Sequence, residues 1–546
     1  MRRILVFSMT RMGDIIQSIP FVRRLRKQNP DAQIDLLVEK CFADVASFLP
    51  GIDRIIEIRL EDLLLCFDKK RGEDLPRGIS YYNDLVNTLR GHGYDEVWNL
   101  THTKPFTVLS SLVAGAEARG VTIDDHGLQR VNDPWLRYFY ATNLSRPWCQ
   151  YNLVDIYANC INDIPRSYGR SVQIDPLLFR DHMPEKYPPK KHKKRVAIHP
   201  GASQAQKQWP VESFAHVAKD LIANSIEIVL IGGKSDRKLK DALGCSEATF
   251  DLIGKTTVKE LAAVLDDCDL LISNDSGPMH VAAAVGTTVI AVTIGSALGS
   301  ETAPYGAGHW VIEPAAECFP CSSSNASCRD LRCATEIAPH HVFDLAMTTL
   351  AGAEPSNAIS SDTSFRLYRT EFDADDEQLN LVRVGNHPAD SRDRLNAMLR
   401  NLWPVWLENT PVSLVKNEEP DARISLALRT AYLLACQAEA SCLEIANIKT
   451  ESAAGIAAVK SESVRLAEID AKIARSLLSN DALKSILAYL IIEKGSVAGS
   501  SLSEQARHTA AVYSGLARML RTAVPDHLQN MKKSNITFEA YHENLT

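Results

Sequence analysis

The sequence predicts two doubly wound α/β halves, each a parallel sheet wrapped by helices, followed by an all-α region. Three observations carry that prediction. Short apolar runs alternate with helix-period patterns over residues 3–180, the rhythm of a parallel sheet with crossover helices. The alternation restarts at 195, after the proline- and lysine-rich segment PEKYPPKKHKKR, which reads as a domain boundary. From 421 to 520 the chain becomes Ala-, Leu-, Glu- and Lys-rich with few breakers, so a helical domain follows. The divisions expected are 1–183, a linker at 184–195, 196–351, a linker at 352–365, and a mostly helical 366–546.

In the first half, Arg3–Phe7 is a strand and 14–28 a helix with Ile15, Ile16, Ile19, Val22 and Leu25 on one face. Strands follow at 34–38 and, after Tyr94, at 96–100, with 60–80 read as a polar, irregular insertion. In the second half, strands at 195–199, 226–231, 270–273 and 288–293 alternate with helices at 211–223, 258–265 and 278–285. Two such halves leave a cleft between the carboxyl edges of their sheets. The Ser/Asp/Asn-rich 355–364 reads as a loop. Beyond it, positions 456, 459, 463, 466, 470, 473 and 477 are spaced three-four-three-four, but Ser463 and Asp470 interrupt the seam. That favours a local bundle over a long coiled coil.

At 546 residues the chain holds more than two domains. Sixty basic against 67 acidic residues give a net charge of −7, which offers no electrostatic case for nucleic acid. No apolar run is long enough to span a bilayer. The opening MRRILVFSMTRMGDII starts as a signal peptide does, yet Arg11 and Asp14 restore charge too early, so a buried first strand is expected. Twelve cysteines are too scattered for a disulfide scaffold, and a reducing cytoplasm is the expectation. The basic segment 184–195 is read as a solvated linker rather than a contact to anionic lipid or substrate.

The most informative stretch is SNDSGPMHVAAAVG at 273–286, behind the apolar run at 270–272. It reads as a strand, a tight turn through Asp275, Ser276, Gly277 and Pro278, then a helix opened by small residues. Proline suits the first helical turn. The helix N-terminus would then face a phosphorylated ligand at the sheet edge, with His280 adding a donor. A second loop, His199–Pro200–Gly201–Ala202–Ser203 followed by Lys207, Trp209 and Pro210, is also suited to an anion, Lys207 serving as a point charge. Gly232 and Gly233 after a third strand permit close approach of a base or ribose, though they form no P-loop. In the first half, Gly13 allows a turn that other residues strain to make and presents Asp14 at the cleft mouth. Asp14 has two readings, a helix N-cap and a general base.

Together these residues resemble glycosyltransferase family 9, the bacterial heptosyltransferases of the lipopolysaccharide inner core. The resemblance spans 1–351. It rests on Gly13–Asp14, Pro20, FLPGIDRI at 48–55, Tyr94–Asp95, His199–Pro200–Gly201–Ala202, Lys207, Trp209–Pro210, and Asp275–Ser276–Gly277 with His280. It implies the GT-B fold, two facing Rossmann-like domains, and inverting transfer from a nucleotide-diphospho-sugar, most often ADP-heptose. Asp14 is then the base, and Lys207 with the Ser276 and Gly277 amides clamps the diphosphate. Asp275 supports that turn and His280 lies nearby, while Gly13, Gly201, Ser203 and Gly232 line the donor pocket. No cofactor is required for this chemistry. The partners implied are the donor, a glycan or lipid-linked acceptor, the inner face of the inner membrane as a peripheral contact, and a second copy of the chain as a candidate homo-oligomer. Two departures stand out. Ser8 occupies a position that is basic in many members, and Asp236 is the only candidate for an acidic ribose contact.

Cys318, Cys321, Cys328 and Cys333 form C-x2-C-x6-C-x4-C, enough thiolates for a structural zinc or iron; free thiols or a disulfide are the alternatives. Clusters of this kind occur in the family, some holding iron. Competing functions are heptosyl transfer to a protein side chain, a nucleotide-sugar epimerase, for which no paired carboxylates are evident, and a catalytically inactive scaffold working through its helical region.

Overall fold

The computed structural model describes the chain except residues 9–10, 66–73, 102, 114–116, 125, 144, 166, 191–193, 244–248, 322–327, 329–330, 356–361, 374–377, 386–390, 411–421 and 524–546. Parts of the expected linker at 184–195 and loop at 355–364 therefore lie outside the described residues. Contacts divide the chain into one unit of 1–139 with 151–388, and a second of 140–150 with 389–546.

The first unit opens with strand β1 (Arg3–Phe7), all but its first residue buried. Two helices follow where one was expected, α1 (Met12–Gln17) and α2 (Ile19–Gln28). The break falls at Ser18, just before Pro20, which has no amide to continue the ladder. Strands β2 (Gln33–Glu39), β3 (Arg54–Ile58), β4 (Glu96–Asn99), β5 (Glu117–Ile123) and β6 (Gln129–Val131) complete a six-stranded sheet in the order β3-β2-β1-β4-β5-β6. Only β6 runs antiparallel to its neighbour. Between β3 and β4 stand helices α3 (Leu60–Leu64) and α4 (Leu75–Gly91). The described residues of the insertion expected to be irregular at 60–80 are thus mostly helical: Tyr82, Val86 and Leu89 of α4 join the core beside Phe7 and Val97, and that burial outweighs its Pro–Arg–Gly start. Helix α5 (Leu153–Asn159) is buried throughout.

The second sheet has strands β7 (Arg195–His199), β8 (Glu227–Leu230), β9 (Thr249–Asp251), β10 (Leu270–Asn274), β11 (Val289–Val292), β12 (Trp310–Pro314), β13 (Phe365–Phe372) and β14 (Leu379–Arg383), ordered β14-β13-β12-β11-β10-β7-β8-β9. Helices α6 (Val211–Ala223) and α7 (Gly277–Val285) pack beside it. β13 and β14 add antiparallel to the β12 edge. Residues 366–372 and 379–383, placed by sequence in the helical region, therefore extend this sheet instead. Asp155 on α5, fully buried, accepts from Arg170, the Tyr305 hydroxyl and the Leu379 amide. That one carboxylate joins the first half to both the β11–β12 connection and the start of β14. Most described residues of the linker are exposed, but its last, Arg195 at the start of β7, is fully buried: it bonds Glu227 at 2.7 Å, pairs with Asp267 and stacks on Tyr187.

The second unit is built from α8 (Ser391–Leu407), α9 (Ala422–Asn447), α10 (Ala453–Leu477), α11 (Lys484–Gly495) and α12 (Leu502–Ala523). It is a bundle, as the broken seam predicts. Val459 and Leu466 of α10 pack on Ile445, Ala446 and Ala506. Asp470 interrupts the seam because it pairs with Lys494 and the Tyr513 hydroxyl. Trp403, Trp406 and Tyr489 cluster in its core, with Trp406 and Tyr489 centroids 4.6 Å apart. Residues 140–150 leave the first half and join this bundle: Arg400 donates to the Gln150 carbonyl at 2.7 Å and Ser145 to that of Asp481 at 2.9 Å. Among the described residues no helix is long and apolar enough to cross a membrane.

Candidate active site

β8, β7 and β10 lie side by side, so the loops leaving their carboxyl ends converge. Lys207 and Asp275 meet there as a buried pair, Nζ to Oδ2 2.7 Å. Burial works against the Asp275 charge, yet Lys207, His280 and the Thr302 hydroxyl hold its carboxyl below the usual range. Burial also brings His280 down to about 4, against the pull of Asp275, so its imidazole is neutral at pH 7 and Lys207 is the partner that keeps Asp275 ionised.

Asn274 shapes the neighbouring loop. Its amide donates to the carbonyls of Pro200 and Gly201, and its oxygen accepts the Trp209 amide at 2.9 Å. Asp236 lies over Gly201 and Gly232, where a Cβ would stand 2.5 and 2.9 Å from its carboxylate oxygens. It accepts the Gly233 amide at 2.7 Å, and His199 lowers its pKa despite burial. Ser203 stands exposed on its loop.

The first half supplies α1. A Cβ on Gly13 would stand 2.6 Å from His280 Cδ2, and one on Gly277 3.0 Å from Met12 Sδ. The glycine at 13 is thus required by the close approach of α7 rather than by a left-handed backbone, since its φ is not positive. Asp14, half-buried, is the third residue of α1, whose N-cap is Arg11; the N-cap reading of Asp14 does not hold. Gly13, Asp14, Lys207, Asp275, Ser276, Gly277 and His280 are gathered through this α1–α7 contact.

Sequence reasoning missed Asn274 and Asp236's hold on the 232–236 turn, along with Gln17 and Thr101. Gln17 lies one turn after Asp14 on α1 and Thr101 follows β4, both buried; Gln17 Nε2 and Thr101 Oγ1 have no hydrogen-bond partner. The spacing Asp14-x-x-Gln17 was the available signal, since i and i+3 share a helix face.

The cysteine cluster does not fit the expected zinc or iron. Among the described residues no group of three or more His, Cys, Asp or Glu could hold a metal ion. Cys318 and Cys328 are exposed, Cys321 is half-buried and Cys333 buried, all as free thiols. Burial, and then the neighbouring cysteines, push the Cys321 thiol up, and burial does the same to Cys333.

Residues 84–331 match the family model for glycosyltransferase family 9 (heptosyltransferase). Lipopolysaccharide heptosyltransferase 3 of Escherichia coli is 28% identical over 51% of this chain and 80% of its own length. The lipopolysaccharide core heptosyltransferase OpsX of Haemophilus influenzae is 24% identical over 52% and 77%. A solved family 9 glycosyl transferase from Veillonella parvula superposes with a TM-score of 0.50 at 22% identity, covering 64% of this chain and 98% of that one. That likeness fixes the GT-B arrangement of the two sheets, and with the matched segment it makes this chain a glycosyltransferase that carries a family 9, heptosyltransferase-type domain.

Proposed function

We propose that the protein transfers heptose from ADP-heptose to a hydroxyl of a lipopolysaccharide-core or related surface glycan, inverting the anomeric centre. The observation that carries the reading is the packing of the Asp14-bearing turn of α1 against the start of α7, beside the buried Lys207–Asp275 pair. That contact supports a reading in which the Asp14 carboxylate works beside an anion-binding cradle.

In the step proposed, Asp14 accepts the proton of the acceptor hydroxyl as its oxygen attacks C1 of the sugar. The bond from C1 to the diphosphate breaks on the opposite face, and the electron pair leaves with ADP. Lys207 and the first amides of α7 stabilise the charge that develops on the diphosphate. Asp275 holds Lys207 in place for that role, and neutral His280 contributes without adding charge. Gly201 and Gly232 leave room for the Asp236 carboxylate, which the reading offers to the donor's ribose. Gln17 and Thr101, with hydrogen-bonding capacity unspent, face the task of orienting the acceptor. The relatives' names point to an acceptor of the lipopolysaccharide core, which would bring the protein to the inner face of the cell membrane.

Calorimetric titration with ADP-heptose, GDP- and UDP-sugars and the free nucleotides tests this. Selective binding of the ADP species, weakened at least tenfold by Lys207→Ala, is expected, a loss of roughly 1.4 kcal/mol or more. Asp14→Ala is expected to abolish transfer while leaving donor affinity within about threefold. Selectivity for GDP or UDP would overturn the sugar, and full turnover by Asp14→Ala the base.

A further inference from the structure

We propose that His199 is a positioning residue which holds the Ser276 hydroxyl away from the first amides of α7, leaving that helix start open to the donor's phosphates. The inference rests on the donor-binding reading above. Ser276 precedes α7 with extended backbone, φ −154° and ψ 165°, the geometry of an N-cap. A serine there ordinarily turns its hydroxyl back to accept an amide two or three residues on. Pro278 has no amide, so Met279 is the one in reach, and its amide already donates to the Ser276 carbonyl at 3.2 Å. Ser276 makes no such bond.

Its hydroxyl is drawn elsewhere. Ser276 Oγ lies 2.9 Å from His199 Nδ1 and 2.9 Å from Ser273 Oγ, and Nδ1 is 3.4 Å from Ser273 Oγ, a closed triangle of polar contacts. Ser273 gives its hydrogen to the Asn274 carbonyl at 2.8 Å, so it offers Ser276 an acceptor. Across the ring, Nε2 stands 3.5 Å from Asp236 Oδ2, itself fixed by the Gly233 amide. His199 is 4% exposed. The imidazole therefore ties together the loops after β8, β7 and β10.

A core histidine needs only a partner for each nitrogen, and these contacts would satisfy that need. The added consequence comes from which hydroxyl is held. A capping oxygen presents its lone pairs at the place where an anion binds the helix start. Removing the imidazole frees Ser276 to rotate about its Cα–Cβ bond and cap its own helix. The phosphates must then displace it.

The test is ADP and adenosine affinity by calorimetry, with thermal unfolding alongside, for wild type, His199→Ala and His199→Ala/Ser276→Ala. His199→Ala is expected to weaken ADP about tenfold, near the worth of one hydrogen bond to a charged group, and adenosine by much less. Adding Ser276→Ala is expected to recover at least half of the logarithmic loss, because no hydroxyl remains to cap the helix. A lost side chain that mattered only for packing would make the double variant no better than the single. Wild type that binds no ADP overturns the donor reading and this inference with it. Wild type that binds ADP, with an unaffected His199→Ala or an unrescued double variant, overturns this inference alone. Should His199→Ala fail to fold, His199→Leu fills the same space without a polar atom, and the comparison with Ser276→Ala is made on it.

Discussion

His280 and His309 are buried in the neutral form, and that state has a measurable signature. His309 is buried with its Nδ1 accepting the Val289 amide at 3.2 Å, and burial brings its pKa to about 4 from 6.5. An imidazole held neutral in the fold still takes up a proton in the unfolded chain. Its contribution is therefore complete above about pH 6.5 and is lost as pH falls toward 4, at roughly 1.4 kcal/mol per pH unit for each such group. His280 adds to the same window. Urea denaturation at pH 7, 6 and 5 should show stability falling with pH, and His309→Gln should flatten the slope by about half. An unchanged slope would refute the buried neutral imidazole. Lys207, Asp275 and Gly13 were legible as chemistry because their residue types stand in loops that end strands. What they touch was not. The Lys207–Asp275 pair joins positions 68 apart, and Gly13 answers to a ring on another element; neither relation leaves a local trace.

At the scale of elements, β1, β2, β4, β7, β8, β10 and β11 were legible because they are mostly buried on both faces and read as continuous apolar runs, whereas the partly exposed β3, β5 and β9 were not. β13 escaped notice since it has mixed burial, FRLYRTEF, behind a polar loop. The helix expected at 14–28 is broken at Ser18, and its second half is anchored by an unusual device. Arg24, buried in α2, donates to the carbonyls of Ile161, Ile164, Pro165 and Tyr168 at 2.6 to 3.1 Å. The segment after α5 has no regular structure of its own to satisfy those oxygens, so the guanidinium substitutes for a strand. Arg24→Met preserves the stem and removes every donor. We expect a loss of about 3–5 kcal/mol in chemical denaturation, together with proteolytic cleavage in 161–168. A loss below about 1 kcal/mol would show that water satisfies these carbonyls.

Over the whole molecule, two α/β halves and a helical region followed from alternation and composition. The membership of 140–150 in the helical bundle did not. Its partners, Asn396, Arg400 and Asp481, lie hundreds of residues away, and nothing in its composition sets it apart. A chain ended after Pro388 keeps both sheets but strips this segment of the groups it binds. Such a truncation is expected to be recovered mostly in the insoluble fraction, whereas a soluble, monodisperse, ADP-binding product would show that the segment tolerates the loss.

The route of the chain through 140–150 also bears on how the two units can be recombined. The bundle is stitched to the catalytic unit at three peptide bonds, after 139, after 150 and after 388, not at one. A single crossover near 388, natural or engineered, would pair a bundle with a foreign 140–150. Grafting this bundle onto a family 9 enzyme therefore calls for a two-site exchange, and the short internal stretch must travel with the long terminal one as a single heritable module.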